Sequence, residues 1–188
     1  MLHTKATLTA LAMVSAVAVA SGQMAAAPEP GPKVGDVAPD FTLRGATKDG
    51  VLQSPVSLAK LRGQTVVVAF FPKARTSGCT AQMTRYRDRW AGMFNGGKGI
   101  AVISISVDAD TTQANWAREA NLPMTFGSDV GGAVGKAYGA YNGKTEIRLL
   151  YVIDPDGKIA FTMKPFNPMV EDSYADLGVA IKKLSGTR

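Results

Sequence analysis

The sequence predicts an α/β fold, a central sheet with helices on both faces. Three observations predict it. Two apolar, β-branched runs, TVVVAFF (65–71) and GIAVISISVD (99–108), suit strands buried on both faces. Each run is followed by a stretch with apolar residues at the three- and four-residue spacing of a helix. Finally, EIRLLYVIDPDGKIAFTM (146–163) reads as a β-hairpin with Asp154, Pro155, Asp156 and Gly157 at its turn. Strands alternating with helices build a layered sheet, and the hairpin adds an antiparallel side.

Residues 40–43 read as a short strand entering the fold. SPVSLAKLRGQ (54–64) gives a brief helical turn that Gly63 stops. The run 65–71 ends at Pro72. Over 77–95, Met83, Tyr86, Trp90, Met93 and Phe94 make one helical apolar stripe, with Thr76 or Ser77 as N-cap. Asn95, Gly96 and Gly97 end that helix. After the strand at 99–108, Thr111 or Thr112 opens a helix with Gln113, Trp116, Ala117 and Ala120 on one side, and Pro123 closes it. Residues 124–129 form a short strand, 130–138 a small helix and 170–184 a closing amphipathic helix. No internal repeat and no second domain is visible.

The 188 residues suit one domain plus an extension. The extension is N-terminal. His3 and Lys5 precede an uncharged Ala/Val/Leu-rich stretch at 6–20, and small-residue sites follow at 18–20 and 25–27. This reads as a secretory signal peptide over 1–27, cleaved near 20 or 27. A Pro/Gly-rich linker follows at 28–32, then the domain at 33–188. The apolar stretch is short for a bilayer span, so no membrane span is expected after cleavage; an uncleaved anchor is the rival reading. Export, to a periplasm in a Gram-negative source, is the expected destination. The net charge of +6 is spread out, and Arg85, Arg87 and Arg89 alternate along a helix without forming a block. A nucleic-acid surface needs a denser stripe with stacking aromatics.

Cysteine and histidine counts constrain the chemistry most. The chain has one cysteine, Cys79, and one histidine, His3, within the signal-like segment. An exported chain meets an oxidising compartment, where cysteines are normally paired. A single one points to an intermolecular bridge or a free reactive thiol. Serine–histidine and cysteine–histidine catalysis, His/Cys zinc sites and CxxC redox pairs are all excluded. The glycine-rich GSDVGGAVGKAYG (127–139) fails phosphate-loop spacing, because Val130 stands where a glycine is required and Ala137 follows Lys136. Met83 and Met93 lie on the helical stripe, which makes core packing the better account of the methionines.

Cys79 falls in the first turn of a helix, just after a central strand. Amide groups there lack intrahelical acceptors and, with the helix dipole, favour an anion. The thiolate is the nucleophilic form of cysteine. Gly78 leaves the backbone open to close approach, Thr76 can aim a hydroxyl at the same point, and Pro72 stiffens the loop. The competing reading is an inert buried thiol.

Pro72-x-x-x-Thr76-x-x-Cys79 resembles the PxxxTxxC motif of peroxiredoxins, and FFPKARTSGCT (70–80) is most similar to the Q-type, or bacterioferritin-comigratory, subfamily. KVGDVAPDFTL (33–43), VSLAKLRGQTVVVAFFP (56–72), VISISVD (102–108) and EIRLLYVIDPDGKI (146–159) extend the resemblance through most of the chain. It implies a thioredoxin-like mixed sheet flanked by helices, and a thiol peroxidase that needs no metal, haem or flavin. Cys79 is then the nucleophile, Thr76, Pro72 and Arg148 are its catalytic neighbours, and Gly78 and Gln82 contact the substrate. The implied partners are a hydroperoxide and an external thiol reductant, either a small thiol or a thioredoxin-like protein, with the chain a monomer or homodimer. Two departures stand out. Thr84 occupies the place where many Q-type members carry a resolving cysteine, which implies a one-cysteine cycle. Gln82 stands where the family often has Glu, so the site lacks that charge. Rival readings are a binding module that uses Cys79 for mixed disulfides, and a thiol–disulfide oxidoreductase.

Overall fold

The computed structural model describes Met1 and residues 31–185. The signal-like segment beyond Met1 and the first part of the linker lie outside the described residues. The strands are β1 (Thr42–Thr47), β2 (Gly50–Val51), β3 (Val56–Ser57), β4 (Thr65–Phe70), β5 (Ile100–Ser106), β6 (Thr125–Ser128), β7 (Leu150–Ile153) and β8 (Ile159–Met163). The helices are α1 (Ser77–Asp88), α2 (Trp90–Met93), α3 (Asp110–Glu119), α4 (Ala133–Ala137) and α5 (Glu171–Ser185). The sheet order is β2-β1-β6-β5-β4-β7-β8, with β3 also on β1. β4, β5 and β6 run parallel, while β1 and β7 join them antiparallel. The sheet is therefore mixed, as expected of an α/β fold that ends in a hairpin.

Every residue of β4 is buried, and its side chains alternate between two cores. Val67, Ala69 and Phe71 pack with Cys79, Met83 and Tyr86 of α1, Trp116 and Ala117 of α3, and Tyr174, Leu177 and Ile181 of α5. Val66, Val68 and Phe70 pack with Leu58, Val134 and Tyr138. Burying one such side chain contributes about 1.5–3 kcal/mol. Helices cover both faces, but unequally: α1, α3 and α5 share one, while only the short α4 and the 3-10 turn Leu58–Leu61 contribute helical cover to the other.

Several boundaries differ from the sequence expectation for local reasons. The entering strand lies at Thr42–Thr47 rather than 40–43 because it pairs with β6 over Arg44 to Ala46. The stripe at 77–95 is broken at Arg89, where the helix ends before the short α2. α3 begins at Asp110, earlier than the two threonines, with Ala109 at the N-cap. It ends before Asn121, whose φ of 49° is left-handed, so the helix stops ahead of Pro123. Residues 146–149 are not part of the β7 ladder; they form a strap leading into it. That strap carries Arg148.

Candidate active site

The site begins where β4 runs out. Phe71 donates its amide to Ile105 O at 3.0 Å, the last such bond before the chain turns away at Pro72. Proline has no amide to continue a ladder. Pro72 itself is half-buried at the foot of the turn. Three residues shape the turn beyond it. Asp108, just past β5, accepts the Ala74 amide at 2.8 Å and the Ser106 hydroxyl at 2.9 Å through the same Oδ2. Arg75 has a φ of 64°, uncommon for a residue with a side chain. Its guanidinium forks onto Glu119 (2.7 and 3.1 Å) and reaches Thr112 O at 3.4 Å. Thr76, an exposed residue, donates its hydroxyl to Lys73 O at 3.0 Å.

Thr76 is the N-cap of α1 in extended conformation, and its side chain makes no cap bond. The Thr80 amide closes the first turn on Thr76 O at 2.8 Å. Cys79 sits in that first turn and is wholly buried. Burial is what the inert-thiol reading expects, so the neighbours decide between the two. Arg148 Nη2 donates to Cys79 Sγ at 3.4 Å, and Nη1 donates to Gln82 Oε1 at 2.6 Å. A guanidinium fork can hold two acceptors at once in fixed geometry. Gln82 in turn donates Nε2 to the Tyr86 hydroxyl at 3.1 Å. Burial pushes the Tyr86 phenol well above its ordinary range, against the opposing Gln82 bond, so Tyr86 stays neutral. No carboxylate pairs with Arg148 among the described residues. The potential anion beside it is the sulfur.

Cys79, Arg148 and Gln82 are thus brought together. Gln82 is fully buried beneath the guanidinium, so it orients Arg148 where the sequence reading had it on the substrate. Gly78 admits Arg148: a Cβ there would lie 3.3 Å from Nη2. Thr76 and Pro72 lie on the same turn, but the Thr76 hydroxyl is donated to Lys73 O and not to the sulfur. The sequence reading missed Asp108, the Arg75–Glu119 fork and Tyr86. The available signal was an aspartate directly after a buried strand, where α/β folds place functional groups. A groove of about 980 Å³ lies between α2 and α5 and includes none of Cys79, Thr76 or Arg148. Chemistry at a single sulfur needs only a small opening, so the groove's size does not make it the site. Among the described residues no cluster of three or more His, Cys, Asp or Glu could hold a metal, and no helix is long and apolar enough to cross a membrane.

A mixed sheet with a cysteine at the first helical turn after a central strand, met by an arginine from the far strap, defines a class: the thioredoxin-like proteins of peroxiredoxin type. Within that class the chain belongs to the AhpC/TSA family, whose model matches residues 34–162. It is 33% identical over 142 residues to peroxiredoxin Bcp of Escherichia coli, covering 71% of this chain and 86% of the relative. It is 36% identical over 130 residues to the chloroplastic peroxiredoxin Q of rice, covering 68% of this chain but only 57% of that longer relative. The crystal structure of peroxidoxin BcpB from Mycobacterium tuberculosis superposes with a TM-score of 0.65 at 29% identity, over 83% of this chain and 98% of the other. The resemblance read from the motif and its flanks is therefore shown, as is the fold class.

Proposed function

We propose that the chain is a thiol-dependent peroxidase with Cys79 as its nucleophile. The observation that carries this reading is the Arg148 bond to the Cys79 sulfur, with no carboxylate among the described residues paired to that arginine. The Cys79 thiolate attacks the terminal oxygen of a hydroperoxide. The S–O bond forms as the O–O bond breaks, and the leaving oxygen takes a proton and departs as water or an alcohol. Cys79 is left as a sulfenic acid. Arg148 stabilises the thiolate and then the negative charge that develops on the peroxide oxygens, and the leading amides of α1 add to it. The free lone pairs of Thr76 accept the peroxide hydroxyl. Pro72 and Gly78 shape the turn and leave room for the guanidinium, and Gln82 fixes its plane.

The sequence contains no second cysteine, so an external thiol completes the cycle. Its sulfur attacks the Cys79 sulfur, water leaves, and a second thiol cleaves the mixed disulfide to restore Cys79. A small thiol or a thioredoxin-like protein has the required chemistry. The signal-like segment at 1–27 supports export, to the periplasm in a Gram-negative cell. The test is dimedone trapping after one equivalent of hydrogen peroxide. A fast adduct at Cys79, together with loss of all peroxide turnover in a folded Cys79→Ser, is the expected outcome. Full turnover by Cys79→Ser, or no adduct in the native chain, overturns the reading and leaves a mixed-disulfide binding module.

A further inference from the structure

Two residues before Arg148 lies a carboxyl group that the peroxidase chemistry does not use. Glu146 is fully buried, and neither of its side-chain oxygens has a hydrogen-bond donor from the protein. Burying an ionised carboxylate without a partner is costly enough that such groups take up a proton instead. A second carboxyl group, Asp129, meets the same glycine as Glu146: its Oδ2 accepts the Gly135 amide at 2.7 Å, and the Glu146 carboxyl group lies against the Cα of Gly135. Two carboxyl groups can share a hydrogen bond only if one carries a proton.

The surroundings decide which one does. Asp129, just after β6, accepts the amides of Gly135 at 2.7 Å and Val134 at 3.2 Å. Glu146 receives no such bonds. Its carboxyl group lies against the Cα of Gly135, where any Cβ would overlap it. Among the described residues neither carboxyl group has a cationic partner. Lys136 of α4 is exposed and lies over the Tyr141 ring at 5.2 Å, Lys144 on the preceding loop is exposed, and Arg148 is turned to Gln82 and Cys79. Burial first, then the Asp129 charge and hydrogen bond, push the Glu146 carboxyl up to about 8.

The backbone links this pair to the arginine. Gly135 O accepts the amides of Ala140 and Tyr141, Ala140 O accepts the Ile147 amide at 2.6 Å, and Glu146 bridges Tyr141. Arg148 follows Ile147 on the same strap, and its own carbonyl accepts the Phe166 amide. We propose that Glu146 is a positioning residue for Arg148: a proton shared between Glu146 and Asp129 latches the strap to α4 and so holds the guanidinium over Cys79. Loss of that proton sets two buried negative charges against each other and loosens the strap. The sulfur then loses its cation at alkaline pH.

The coupling to turnover rests on the peroxidase reading, but the latch itself can be tested without it. Glu146→Gln is neutral at every pH, keeps the shape of the carboxylic acid and can donate to Asp129. The first measurement is the carboxyl ¹³C resonance of Glu146 against pH, assigned by its absence in E146Q. A midpoint well above the ordinary glutamate range, moving down in Asp129→Asn, is expected; an ordinary midpoint overturns the proposal. The second is the rate of Cys79 oxidation by hydrogen peroxide. The ratio of E146Q to native is expected to be flat from pH 6 to 7, then to rise about tenfold by pH 9.5, following the Glu146 midpoint. A flat ratio across the whole range overturns the coupling. If peroxide oxidises neither protein at any pH, the peroxidase reading fails. The Arg148 side-chain Nε–H resonance then decides the latch: a shift with the Glu146 midpoint supports it, and no shift overturns it.

Discussion

The two segments that meet at the sulfur are built differently. The turn at 72–79 is shaped mostly by its own residues, a proline that ends a strand, a left-handed Arg75, an N-cap at Thr76 and a glycine beside the cysteine, with Asp108 accepting the Ala74 amide from outside it. The strap at 146–149 follows a local turn, in which Asn142 Oδ1 accepts the amides of Lys144 and Thr145 and Ile147 donates its amide to Ala140 O, but its placement over the site depends on distant contacts: Glu146 against Gly135, and the Phe166 amide on Arg148 O. The turn supplies the nucleophile and leading amides that face it, and the strap supplies the charge. A reactive site built this way has one half that forms with the helix and one that exists only when the whole sheet is assembled.

If the charge from the strap dominates, Arg148→Ala is the most damaging change outside Cys79 itself. It removes the donor to the sulfur and leaves Gln82 Oε1 without its partner. The second-order rate of Cys79 oxidation, followed by stopped flow, is expected to fall ~10²–10³-fold, the cost of deleting one preorganised donor to a developing negative charge. Arg148→Lys recovers only part of this, because an ammonium cannot bind the sulfur and Gln82 as a planar fork. A loss of less than tenfold in Arg148→Ala breaks the comparison, since the amides of the turn would then be holding the anion alone.

Asp108→Ala acts on the other half. It leaves the Ala74 amide and the Ser106 hydroxyl without their shared acceptor. The expected cost is ~1–3 kcal/mol in urea unfolding, the penalty for stranding a buried donor. The fall in oxidation rate should be smaller than for Arg148→Ala, because the guanidinium stays in place. Asp108→Asn keeps an acceptor oxygen and should restore most of the stability. A rate loss in Asp108→Ala that matches Arg148→Ala would show that the turn is no more self-sufficient than the strap.

The same contrast explains what could be read from sequence. β4 was legible because a strand buried on both faces leaves an unbroken apolar run, and β5 because its Ile and Val residues are interrupted only by small ones. The placement of Cys79 was legible because Pro72, Thr76 and Gly78 act within a few residues of it. Arg148 was reached through resemblance alone: nothing in EIRLLY says which partner its guanidinium will find. Asp108 and Glu119 were missed because their partners lie 34 and 44 residues away, while Tyr86 was read only as part of an apolar stripe although its partner Gln82 lies one helical turn before it. Glu146 was invisible for a different reason. A glutamate between Thr145 and Ile147 looks like a solvated charge, and only the packing of Gly135 against it shows that it is buried.

Whether the turn needs its outer clamp at all is tested at Arg75. Arg75 spans the turn and α3 through its fork on Glu119, but both side chains are substantially exposed. An exposed ion pair is worth roughly 0.2–1 kcal/mol. Holding a non-glycine residue left-handed costs about 1–2 kcal/mol. Arg75→Ala removes the pair and keeps the strain, so unfolding stability should drop by under about 1 kcal/mol. Arg75→Gly removes both, and the greater freedom of glycine in the unfolded chain offsets much of the relief. Its stability should lie at or slightly above that of Arg75→Ala, with the oxidation rate of Cys79 within about threefold of native in both variants. If Arg75→Ala instead slows Cys79 oxidation as much as Asp108→Ala, the turn depends on α3 for its shape, and it is as much a tertiary construction as the strap.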